Sequence, residues 1–366
     1  MALCLGSLSS SHAPLSSAVL SDRNPLVVSR QLLSAFAAGV CRLPAEAHKE
    51  VAVFALDKIQ PRVVSFEEQY AVLRESVAAV LEAEEAWSAA AAMLAGIDLD
   101  SGQRVLDPAY KLATCVKIAR LYLEDDDALS AEAFIKRAAF LLPEAPSSGL
   151  DLQFKTCYAR ILDAKRKFLE AARYYYSLSQ AVGQGVEDDE LLTALNAAVV
   201  CTILAAVGPQ RTRQLATLFK DERCARLRTH TMLSKVYLGR ILRPHEMSAF
   251  EAELKPHQLA VGGDGLTVLS RSAIEHNIAA ASSLYANISL SEMGTLLGIS
   301  ADKAEKIAAG MIVEGRLRAS IDQTDGFVTF EPAEGDASEF DAQITSVSLA
   351  VQAVVDALHD KGKMAT

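Results

Sequence analysis

Apolar residues return at steps of three and four along most of this chain, and Ala, Leu, Glu, Lys and Arg dominate while prolines are few. That pattern predicts helices almost throughout. Three segments align without gaps: Leu81-Glu-Ala-Glu-Glu-Ala-Trp87-Ser-Ala-Ala-Ala, Leu123-Glu-Asp-Asp-Asp-Ala-Leu129-Ser-Ala-Glu-Ala and Leu162-Asp-Ala-Lys-Arg-Lys-Phe168-Leu-Glu-Ala-Ala. Their spacings, 123 − 81 = 42 and 162 − 123 = 39, fit stacked helical hairpins that bury their apolar faces only against neighbours. In each, a helix ends at the Leu, a polar turn follows, and a second helix opens on a large apolar residue. Small residues (Ala90, Ala131, Ala171) allow close approach, and Trp87, Leu129 and Phe168 are expected to plug the gaps between hairpins. The expected repeat core is therefore Leu81, Trp87, Leu123, Leu129, Leu162 and Phe168. A ligand-stacking role for Trp87 is disfavoured, because its equivalents are Leu and Phe.

The rhythm changes past Pro256 and the glycine run Gly262-Gly263-Asp264-Gly265. A long helix is predicted from Leu266 to about Ala286. Ser289-Leu290-Ser291-Glu292 reads as a capping box, with hydroxyl and carboxylate each satisfying free backbone N–H groups. A short helix ends at Gly298, and a second carries Ala304, Ile307, Ala308, Met311 and Ile312 on one face. Then Leu317, Ala319 and Ile321 alternate, Asp322–Gly326 turns, and Phe327–Phe330 returns. Helix, turn, helix, hairpin is the order of a winged helix. A last helix, about Ala337 to His359, sets Phe340, Ile344, Val347, Val351, Val354 and Leu358 at steps of 4, 3, 4, 3 and 4. This heptad stripe favours a seam against helices of other chains; docking within the chain is the alternative.

The fold class is mostly α: α-α superhelical, TPR-like hairpin repeats, then a winged-helix domain and a C-terminal bundle helix. The divisions are an irregular leader at 1–21, repeats at 22–194, a helical part at 195–286, the winged helix at 287–331, and the assembly helix at 336–360.

Composition narrows the function. With 51% apolar residues in 366, the chain can bury a sizeable core. Cys4, Cys41, Cys115, Cys157, Cys201 and Cys224 show no C-x-x-C spacing, which predicts free thiols in a reducing compartment. A formal charge of −10 argues against gripping phosphate backbones, and no apolar stretch reaches the length of a membrane span. The expected partners include no nucleic acid and no membrane. Met1–Leu20 has no basic start and no continuous apolar core, so it does not read as a secretory signal, and the sequon Asn287-Ile288-Ser289 reads as a chance match.

Catalytic signatures are missing. The seven histidines never fall at i, i+2 or i, i+4, and no H-E-x-x-H, G-x-S-x-G, dinucleotide fingerprint or Walker loop occurs. No catalytic, cofactor-binding or metal-binding residue is expected, and no cofactor. Glu275-His276-Asn277 reads as a packed, hydrogen-bonded group, and Lys220-Asp221-Glu222-Arg223 as a helix end capped and salt-bridged by its own charges. The winged helix lacks a basic recognition surface: Asp302, Lys303, Glu305, Lys306, Glu314 and Arg316 nearly balance, and the hairpin carries Asp322 and Asp325 with no Lys or Arg after Arg318.

Helical hairpins, a winged helix and a terminal helix are the plan of PCI-domain proteins, the scaffold subunits shared by the proteasome lid, the COP-nine signalosome and translation initiation factor three. Within that group the chain resembles the signalosome's fourth-subunit family, in plant-lineage phrasing. The resemblance is carried by Pro25-Leu-Val-Val-Ser-Arg-Gln-Leu-Leu33, Gln60-Pro-Arg-Val-Val-Ser-Phe-Glu-Glu68, Met93-Leu-Ala-Gly-Ile-Asp-Leu-Asp-Ser-Gly102 and Ile118-Ala-Arg-Leu-Tyr-Leu-Glu-Asp-Asp-Asp127. Cys157-Tyr-Ala-Arg-Ile-Leu-Asp163, Leu218-Phe-Lys-Asp-Glu-Arg-Cys224, Ala273-Ile-Glu-His-Asn277 and Lys303-Ala-Glu-Lys-Ile-Ala308 continue it. It implies a non-catalytic scaffold in a complex that removes a ubiquitin-like modifier from cullins and so regulates cullin-RING ubiquitin ligases. It also implies partners among the other subunits through the winged-helix edge and C-terminal bundle, cullin-RING ligases at the repeats, and residence in cytoplasm and nucleus. The catalytic subunit of that complex uses H-x-H, which is absent here. The alternative is the paralogous proteasome-lid subunit.

Overall fold

A computed structural model describes residues 25–100, 106–143, 148–181, 183, 186–263, 265–331 and 344–355. The leader, Cys4, Phe340 and Leu358 lie outside the described residues. The chain divides into two compact units, Met1–Thr202 and Ile203–Thr366.

The first unit is a row of antiparallel helices: α1 (Leu26–Val40), α2 (Ala45–Ile59), α3 (Glu67–Ala83), α4 (Trp87–Ala95), α5 (Pro108–Glu124), α6 (Ala128–Leu141), α7 (Ser148–Ala164), α8 (Phe168–Ser179) and most of α9 (Asp188–Leu204). The hairpins α3–α4, α5–α6 and α7–α8 are the three repeats. Leu81, Leu123, Leu162 and Phe168 are buried, and Trp87 is half-buried against the same core. Ala90, Ala131 and Ala171 are fully buried.

Leu129 departs from the expectation: it is 75% exposed. The turns show why. Each hairpin turns through one non-glycine residue in the left-handed region, Glu85, Asp126 and Arg166. The next residue donates its N–H back across the turn, Ala86 to Leu81 O, Asp127 to Tyr122 O and Lys167 to Leu162 O, each at 2.9 Å. Tyr122, not Leu123, is thus the counterpart of Leu81 and Leu162, and Ala128, not Leu129, opens α6 where Trp87 and Phe168 open α4 and α8. The spacings between turns are 126 − 85 = 41 and 166 − 126 = 40. A gap-free alignment placed the second repeat one residue out of register. One residue is about 100° of helix, enough to turn Leu129 into water.

Charged pairs join successive hairpins: Arg120 to Glu82 at 2.6 Å, Arg160 to Glu124 at 2.7 Å, and Lys165 to Glu132 at 2.6 Å. Exposed pairs contribute only roughly 0–1 kcal/mol each, so the buried apolar faces, not these pairs, hold the stack together.

The second unit continues with α10 (Pro209–Lys220), a 3-10 turn Glu222–Arg226, α11 (His230–Tyr237), α12 (Pro244–Glu251) and α13 (Val268–Leu284). Asp221 accepts the Arg223 N–H at the start of the 3-10 turn and pairs with the Arg223 guanidinium at 2.7 Å. The winged helix follows as β1 (Asn287–Ser289), α14 (Leu290–Leu297), α15 (Ala301–Val313), β2 (Ala319–Asp322) and β3 (Phe327–Phe330). Its sheet is antiparallel in the order β1-β3-β2, with Ile288 opposite Val328 and Ile321 opposite Val328 on the other side. Strand β1 was not anticipated, because three residues carry too little alternation to read.

Two glycines set the helix pair. Gly298 caps α14 at φ 68°. A Cβ on Gly294 would sit 2.9 Å from Ile299 O, so only glycine lets the chain return that closely. At the capping box, Ser289 accepts the Glu292 N–H as expected, but the Glu292 carboxylate accepts the Ser289 hydroxyl at 2.8 Å instead of a backbone N–H. Ser289 closes β1, and that pairing leaves the carboxylate nearer the hydroxyl. The final helix, α16, spans described residues 344–355.

Candidate assembly surfaces

Most large apolar groups of the winged helix pack inward, while Val313 and Phe327 are exposed. Ile274 and Ile278 of α13 pack with Ile288, Met293, Ala304, Ala308, Met311, Leu317, Val328 and Phe330 in one core. The Glu275-His276-Asn277 triplet is buried and fastens three neighbours to α13. Glu275 receives both terminal nitrogens of Arg316, at 2.5 and 3.3 Å, which ties the segment after α15 to α13. His276 Nε2 donates to Arg240 O at 2.9 Å. Burial drives its pKa down to about 4 against the help of that hydrogen bond, with the nearby Arg211 guanidinium adding to the fall. Asn277 accepts the Leu242 N–H at 2.8 Å and donates to Leu242 O at 3.0 Å. The triplet is a packed group, as its sequence context indicated. Its long-range partners could not be read from the chain.

Among the described residues nothing further pairs with either edge strand of the sheet. Among the described residues β2 is hydrogen-bonded only to β3, so its outer N–H and C=O groups face away from that sheet. Beside it lies a cleft of about 490 Å³ lined by Glu305, Ala309, Ser320, Ile321, Asp322 and Gln323. The hairpin turn is shaped by Asp322, whose carboxylate accepts the N–H groups of Thr324 and Asp325 at 2.8 and 3.2 Å. On the β1 side, about 480 Å³ opens between Tyr285, Asn287, Ile288, Ser291, Glu292, Thr295 and Leu296.

Helix α16 is the most exposed apolar element. Ile344, Val347, Val351 and Val354 are 48–62% exposed, and Leu349 on the opposite face is 67% exposed. Residues 344–355 contain no charged side chain at all. A helix apolar on this scale is stable in water only when other helices cover it.

Among the described residues no group of three or more His, Cys, Asp and Glu is gathered as a metal site, and no helix is long and apolar enough to cross a membrane. The described cysteines form no disulfide among themselves, and burial pushes the Cys157 and Cys224 thiols up to about 11.

A family model described as PSMD12/CSN4, N-terminal, matches residues 15–184, and one described as PCI domain matches residues 228–332. The COP9 signalosome complex subunit 4 of Arabidopsis thaliana is 54% identical over 349 residues, 94% of this chain and 88% of that protein. This chain belongs to the COP9 signalosome complex subunit 4 family. The subunit 4 of Drosophila melanogaster is 46% identical, covering 93% of this chain and 83% of its own, and that of Dictyostelium discoideum 44%, covering 92% and 85%. The proteasome-lid reading is accordingly the less supported one. Within the subunit 4 family framework, the repeats lie in the N-terminal match and the winged helix in the PCI match.

Proposed function

We propose that the chain is a non-catalytic scaffold subunit of a COP9 signalosome, the complex that removes a ubiquitin-like modifier from cullins. Its tasks divide as the sequence divides: repeats over 22–194 facing cullin-RING ligases, a PCI domain over 195–331, and an assembly helix over 336–360. The winged-helix edge and the terminal helix join other subunits, in cytoplasm and nucleus. The observation that carries this reading is helix α16, uncharged through 344–355 with its apolar stripe in water. The open edge of β2 supports it, and the acidic hairpin turn disfavours a phosphate backbone as the partner. The isopeptidase chemistry belongs to another subunit, because no His-x-His occurs here.

The test is affinity purification of the tagged full chain followed by mass spectrometry. Signalosome subunits and cullins are expected in the eluate. Recovery of proteasome base and core particles instead would overturn the assignment. A mole of zinc per mole of purified chain by elemental analysis would overturn its non-catalytic part.

A further inference from the structure

The charge of this chain is unevenly spread. Residues 211–243 hold nine Lys and Arg (211, 213, 220, 223, 226, 228, 235, 240 and 243) against two acids, Asp221 and Glu222, a net of 9 − 2 = +7. The rest of a chain of net −10 therefore carries −17.

Part of this charge is consumed internally. Arg211 is buried and donates to Ile203 O, Arg223 pairs with Asp221, and Lys235 pairs with Glu246. The remainder faces water. Arg213 and Lys220 lie seven residues apart on the outer face of α10, opposite buried Leu215 and Leu218. Arg226 and Arg228 extend the surface, and Arg228 meets Glu253 only at 3.6 Å while 89% exposed. Arg240 and Arg243 complete it on backbone that α13 holds at both ends: His276 binds Arg240 O, and Asn277 binds both backbone groups of Leu242. Among the described residues Arg213, Lys220, Arg226, Arg240 and Arg243 make no ion pair. Uncompensated like charges repel, and holding two of them on a pinned loop has no benefit to the fold itself.

We propose that this basic surface, carried by α10 and the segments up to Arg243, docks an acidic protein segment, one rich in Asp and Glu. Carboxylates are favoured over nucleic acid by two observations. The aromatic rings of the region are not free to stack on bases, since Phe219 lies against Tyr237 at 4.4 Å and against His230. The winged helix of the same unit turns an acidic hairpin outward instead of a basic wing. The surface is distinct from β2 and α16 and does not depend on the signalosome reading.

The test uses the full chain and a fluorescent sixteen-residue peptide of alternating Glu and Asp, followed by anisotropy from 50 to 200 mM NaCl, beside single- and double-stranded DNA of equal charge. The variant Arg226→Ser/Arg228→Ser/Arg240→Ser/Arg243→Ser removes four exposed arginines with their pinned backbone left in place. The control variant Lys303→Ser/Lys306→Ser/Arg166→Ser/Lys167→Ser removes the same charge elsewhere. Salt-sensitive peptide binding that the first variant weakens by about tenfold or more, with the control unchanged, is expected. No peptide binding by the native chain at 50 mM salt, equal loss in both variants, or tighter binding to DNA would overturn the proposal.

Discussion

Helix α8 and the described part of α16 behave in opposite ways. Helix α8 buries Phe168, Ala171, Ala172, Tyr175, Leu178 and Ser179 and keeps Glu170 and Arg173 for water. Over its described residues, 344–355, helix α16 has no charged side chain and none is fully buried. The difference lies in what the chain offers each of them. The neighbours of α8 in the repeat row present complementary alanines and leucines, so its apolar face is satisfied within the chain. The described residues of α16, by contrast, are nearly all exposed. The apolar face of α8 is covered within the chain, and that of the described part of α16 is not.

The comparison is broken most severely at α16. Val347→Asp/Val351→Asp would place two charges in any apolar seam that forms there, costing several kcal/mol. Partner subunits are expected to be lost from co-purification, while thermal unfolding of the isolated chain stays within about 0.5 kcal/mol of wild type. An isolated chain that melts much earlier would mean that the stripe packs internally.

Next in size is Phe168→Ala, which removes a buried ring from the third repeat. It is expected to cost about 3–5 kcal/mol by urea unfolding. Its counterpart in the gap-free alignment sharpens the point: Leu129→Ser should change stability by no more than about 0.5 kcal/mol. Equal losses at the two positions would restore the original register and refute the one-residue shift.

His276 supplies a smaller effect, dependent on pH. Its folded pKa of about 4 lies below the ordinary 6.5 because the imidazolium cannot be solvated beside Arg211. Between those values the unfolded chain binds the proton and the folded chain does not. The contribution is therefore complete above pH 6.5 and is lost as pH falls towards 4, on the order of 2 kcal/mol. Equilibrium unfolding from pH 7 to 4 should show this slope, and His276→Gln should flatten it.

The smallest effect is at the turns. Asp126→Gly relieves a left-handed backbone at the centre of the repeat row and should raise stability by about 0.5–1 kcal/mol in the same unfolding assay. No gain would mean that the Asp126 side chain makes up the difference.

Periodicity in the sequence determined the helical character, the hairpin repeats, the order of helices and hairpin in the winged helix, and the stripe on the terminal helix. These depend on residues within a few positions of each other, and local spacing records them. Only the tertiary structure decided the register of the second repeat: Leu123 is buried and Tyr122 half-buried, so burial alone does not choose between them, and the left-handed Asp126 with the Asp127 N–H bonded to Tyr122 O does. Only it showed β1, which exists because β3 has a free side to pair with. It alone gave Glu275, His276 and Asn277 their partners, Arg316, Arg240 and Leu242, each 35–41 residues away in the chain. Such pairings are made by folding the backbone back on itself, and nothing in the neighbouring residues marks them in advance.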